Sequence, residues 1–156
     1  MTNIQFGKLV SADRMSGDDE EDTELLKELQ AEATAYIKHF KWRRGVKESF
    51  FGCGIGGVVA VFLFRVAGDP GVDEWLWVVA GDMPSAYFVT DRAPEPITAL
   101  HVYCELMEQW VWAIQDGGDL TTVFPVAAQP TEEHAKMLES RIESLRINII
   151  PVLSED

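Results

Sequence analysis

The stretch GCGIGG, Gly52 to Gly57, runs directly into VVAVFLF (58–64), and its reading decides the fold. It spells G-x-G-x-x-G. A dinucleotide-binding turn places those glycines between a strand and a helix whose N-terminus receives the pyrophosphate. Here the glycines lead into a run rich in Val and Phe, which reads as a strand. Including Val59, the letters also match the G-x-G-x-x-G-x-V loop of protein kinases. That loop requires a lysine within a strand or two, yet none occurs between Gly57 and Val89, and the chain lacks H-R-D and D-F-G. The glycines are therefore expected to be structural. They give the first strand a bent start beneath the rings of Trp75 and Trp77 on the neighbouring strand. A small-ligand slot formed by Gly54, Gly57, Trp75 and Trp77 is the second reading of the same place.

Outward from the glycines the pattern is β-type. A strand at 58–66 is followed by GDPG (68–71), where proline fixes one dihedral and glycine permits the next. A second strand, VDEWLWVVA, occupies 72–80. Gly81 to Pro84 turn the chain into a third strand at 85–90. Short connections make an antiparallel meander with the second strand central. Trp75, Trp77 and Val79 share one face of that strand with Asp73; Leu76, Val78 and Ala80 share the other with Val72 and Glu74. Both faces are largely apolar, so helices are expected on both, or a partner on one.

Three helices flank the meander. The first begins near Asp22 or Thr23 and buries Leu26, Leu29, Ala33, Ile37 and Phe40; Lys41, Arg43 and Arg44 close it, and Gly45 stops it. The second starts at Pro94 or Pro96. It buries Ile97, Leu100, Tyr103, Cys104, Met107, Val111 and Ile114, and ends at Gly117-Gly118. Residues 119–130 read as a loop. Thr131 caps a third helix with Leu138, Ile142, Leu145 and Ile149 inward and Pro151 as its stop. The tail RINIIPVL (146–153) reads equally as helix or as a further strand, and Ile4, Phe6 and Leu9 could form a short strand. The expected fold is α+β: a small antiparallel sheet of three strands, or four or five, with helices in the order α-β-β-β-α-α. The acidic segment 1–23 is expected to be flexible and 24–156 to form one domain.

Composition narrows function mainly by exclusion. The chain has 156 residues with 13 basic and 26 acidic side chains, a net charge of −13. That field repels nucleic acid and anionic lipid and attracts basic partners. No apolar run reaches the length of a membrane span. The N-terminal residues lack a signal-peptide pattern, which points to the cytoplasm. Cys53 and Cys104 sit in apolar settings and read as buried free thiols. The one concentrated positive patch is KHFKWRR (38–44).

The outward face of the second helix carries His101, Glu105, Glu108 and Trp112. His101 and Glu105 stand one turn apart, a spacing two metal ligands can have, but without further ligands they read as an i,i+4 polar pair on a solvated helix face. Trp112 is an aromatic on a polar face. It is either covered by Phe124 and Pro125 or offered to a partner as an anchor. No catalytic set or cofactor motif is legible. The expectation is a non-catalytic, cytoplasmic protein-binding domain. Its concrete form is an acidic immunity or inhibitor-type protein that neutralises a basic partner through His101, Glu105, Glu108 and Trp112, and it is able to self-associate. The alternative is a small-molecule sensor or carrier using the glycine–tryptophan slot.

Overall fold

The computed structural model describes residues 4–40, 45–67 and 74–154. Among them runs a five-stranded antiparallel sheet in simple meander order. Its strands are β1 (Val10–Ser11), β2 (Val46–Ile55), β3 (Val59–Val66), β4 (Glu74–Gly81) and β5 (Ala86–Val89). Helix α1 (Glu20–Lys38) lies between β1 and β2, and α2 (Pro96–Gln115) and α3 (Glu132–Ser144) follow β5. The class is α+β. The order, β-α-β-β-β-β-α-α, differs from the one expected because β1 and β2 were not legible. The GDPG turn, the strand start at Val72 and Asp73, and the basic residues at 41–44 lie outside the described residues.

Helices cover both faces of the sheet. On one side Leu26, Leu29, Ala33 and Ile37 of α1 pack over Phe62, Phe64 and Val66 of β3 and over Leu76, Val78 and Ala80 of β4. On the other, Leu100, Tyr103, Cys104, Met107 and Val111 of α2 pack over Val61, Leu63, Trp77 and Val79. This explains why the central strands are apolar on both faces: neither side meets water. The N-terminal segment crosses the β2 edge of the sheet. Ile4 and Leu9 pack against the α2 side, and Met15 is buried on the α1 side.

The first helix starts earlier than the periodicity indicates. Asp19 is its N-cap, accepting from the Asp22 amide at 2.7 Å, and Phe40 lies beyond its last turn. The C-terminal tail is helical. Leu145–Ile149 form a π turn that passes into a short helix, α4 (Ile150–Leu153). Proline at 151 has no N–H to donate and its ring crowds the carbonyl four residues back, so a wider turn ahead of it accommodates the ring. No helix among the described residues is long and apolar enough to cross a membrane.

The hexapeptide GCGIGG does not begin a strand. It ends β2 and forms the hairpin turn into β3. Gly52 is the unpaired residue of a bulge, since Phe51 pairs with Phe62 and Cys53 with Val61. A side chain there would meet Pro96 Cγ at 2.6 Å, so the missing Cβ lets the start of α2 sit on the sheet. Gly57 turns the hairpin with φ +79°, and the Val58 amide closes it on the Ile55 carbonyl at 3.0 Å.

Candidate functional site

Strand register separates the glycines from the indoles. Gly54 pairs with Ala60, which pairs with Ala80; Trp77 pairs with Leu63, which pairs with Phe50. Gly54 and Trp77 are thus three positions apart along the strands, about 10 Å. Trp77 is fully buried and donates its indole N–H to the Ala93 carbonyl at 2.8 Å. Trp75 packs edge-on to Phe6 (5.3 Å) and tilted against Phe50 (6.1 Å), with the Arg65 guanidinium 5.9 Å from its ring centroid. The slot expected among Gly54, Gly57, Trp75 and Trp77 is therefore not formed. Gly52 and Gly54 do line a cavity of about 530 Å³, but its other walls include Lys8, Asp18, Asp22 and Glu95. Lys8 and Glu95 neutralise each other there at 2.8 Å.

The four residues expected on the outer face of α2 do share it. His101, Glu105 and Trp112 are exposed, and Glu108 is half-buried. Helical spacing aligns them at i, i+4, i+7 and i+11. Glu105 accepts from Arg92 Nη2 at 2.6 Å. Glu108 is held by a two-pronged contact from Arg146, Nη1 at 2.7 Å and Nη2 at 3.2 Å, and these bonds raise the guanidinium pKa. Trp112 remains 51% exposed, in contrast with Trp110, which is 3% exposed in the core. On α2 and the loop that follows it the ionised side chains are Glu105, Glu108, Asp116 and Asp119, with no lysine or arginine among them; Arg92 and Arg146, from outside that stretch, pair with the first two.

A second site was not legible in the sequence. Tyr36 and Phe40, the edge strand β5, Val102 and Leu106 of α2, and the loop residues Phe124 to Ala127 enclose an open groove of about 600 Å³. Its aromatic wall is continuous: Tyr36 to Phe40 at 5.2 Å and Phe40 to Tyr87 at 5.0 Å. Burial, reinforced by Tyr87, pushes the Tyr36 phenol up to about 12. Among the described residues Arg92 is the one ionised side chain in the lining. Phe124 and Pro125 thus line this groove, while Trp112 stays half open. The usable signal was the apolar loop FPVAA (124–128), whose side chains have no reason to be hydrophobic unless they face something.

Burial pushes the Cys53 thiol up to about 12 and the Cys104 thiol up to about 11, which disfavours the nucleophilic thiolate. Among the described residues no three His, Cys, Asp or Glu side chains come together as a metal site. His39 is exposed beside the Phe40 ring, centroids 5.8 Å apart. Compared with protein-family models, with curated proteins and with solved structures, the chain matches none.

Proposed function

We propose that this chain is a non-catalytic cytoplasmic protein that binds a basic protein partner through the outer face of α2, in the manner of an immunity or inhibitor protein. The observation that carries the reading is Trp112, half-exposed on a helix without lysine or arginine and flanked by Glu105 and Glu108. A half-open indole is a typical interface anchor: it supplies large rigid contact area at little entropic cost. The net charge of −13 favours cationic partners and speeds their encounter, with Glu105 and Glu108 themselves already paired to Arg92 and Arg146. The fixed Glu108–Arg146 pair orders one carboxylate before the partner arrives. The same field argues against nucleic acid and anionic membranes as partners.

The test is affinity capture from cells of the source organism at low and high salt, with wild type and Trp112→Ala in parallel. The reading expects a basic protein held at low salt, weakened at high salt, and bound roughly thirty-fold more weakly by the variant, as for a hot-spot residue. Binding that ignores both salt and Trp112 would contradict it.

A further inference from the structure

We infer that the groove between the end of α1, β5 and α2 is a ligand site for a small amphiphile with an apolar body and one carboxylate head, the head held by Arg92. The volume, about 600 Å³, lies within the range of sites that bury small organic molecules. The body of such a molecule meets Phe40, Tyr87, Val102, Leu106 and Phe124, all apolar or aromatic. Among the described residues Arg92 supplies the one fixed charge of the lining, and its sign selects the head group.

The guanidinium has donors to give. Its planar fork carries five N–H bonds. Glu105 takes a bond from Nη2 alone, at 2.6 Å, which leaves Nη1 and Nε for a second carboxylate. Both partners of that pair are exposed, Arg92 at 61% and Glu105 at 50%, so the pair holds its geometry weakly and can make room. The positive charge also distinguishes this site from the face around Trp112, with Glu105 shared between the two. A basic protein partner is attracted to the carboxylates of α2 and repelled by Arg92, whereas an anionic head finds here the one cationic side chain between Arg65 and Lys136 in the sequence.

Calorimetric titration with decanoate, decanol and decyltrimethylammonium tests the site. The expected result is one decanoate bound per chain, about tenfold tighter than decanol, because a charge-assisted bond to arginine is added to the same apolar contacts. Decyltrimethylammonium should bind more weakly than decanol. Arg92→Gln should erase the difference between decanoate and decanol. Glu105→Gln should tighten decanoate several-fold by removing the competing carboxylate and leave decanol unchanged, a shift of opposite sign that general damage to the fold would not produce. Leu106→Trp should fill the groove and abolish binding of both. Ala127→Trp does the same from the loop should Leu106→Trp unfold. Equal affinity for decanoate and decanol, preference for the cation, absence of binding, or binding that survives both filling variants would each overturn the proposal.

Discussion

At Gly81 the backbone comes so close to β3 that a side chain has nowhere to go. A Cβ there would meet the Val58 carbonyl oxygen at 2.2 Å and Val59 Cα at 2.8 Å, both backbone atoms that cannot swing aside. Gly117, by contrast, has φ +65° and open space around it. Gly81→Ala should therefore cost about 3 kcal/mol of stability in urea unfolding, and Gly117→Ala about 1 kcal/mol, the conformational term alone. Equal effects would mean that the close approach at Gly81 relaxes freely. Single residues were legible where a helix sets their direction. His101, Glu105, Glu108 and Trp112 fall on one face because 3.6-residue periodicity leaves little choice. The partners of Gly54 and Trp77 were not legible, because strand neighbours depend on register, and the bulge at Gly52 shifts the pairing of every residue on one side of it.

Among elements, β2 escaped the sequence reading for a physical reason. Val46 to Ile55 begins with charged and polar residues, passes through two adjacent phenylalanines and ends in glycines, so period-two alternation never develops. Its place is secured from outside. Asp22 in the first turn of α1 accepts from the Gly56 amide at 2.6 Å through one carboxylate oxygen and from the Asp18 amide at 2.9 Å through the other. One side chain thus ties the β2–β3 hairpin to the start of the helix. Asp22→Ala leaves those amides without their acceptor and should lower stability by about 1–3 kcal/mol. The loss should be largest in hydrogen exchange at Gly56, and an unchanged exchange rate there would show that the tie carries no load. The three longer helices were legible from their apolar stripes, and α3 from its Thr131 cap as well; the π turn before Pro151 was not, since it answers a local clash that periodicity does not report.

Across the whole molecule, helices on both faces bury groups that ionise only at high pH. Burial raises the pKa of Cys53, Cys104, Tyr36 and Tyr103. In the unfolded chain thiols ionise near about 8.5 and phenols near about 10. The unfolded state therefore releases protons at lower pH than the folded one. The stability these groups contribute is complete below about pH 8 and is lost as pH climbs toward about 12. The urea midpoint should be flat through neutral pH and fall steadily above about pH 9, with tyrosinate absorbance from Tyr36 and Tyr103 appearing together with unfolding. Ionisation of all the tyrosines well before unfolding would contradict the burial described for them.

The covering of both sheet faces by the chain's own helices also directs attention away from the sheet and onto α2. The most direct test is a photo-crosslinking residue placed at position 112 and activated in living cells of the source organism, with the same residue at Lys136 as the control. The binding account predicts one discrete adduct from position 112 to a basic protein and none from position 136. Absence of an adduct at 112, or the same scattered products from both positions, would contradict the assignment of the outer face of α2 as a partner surface.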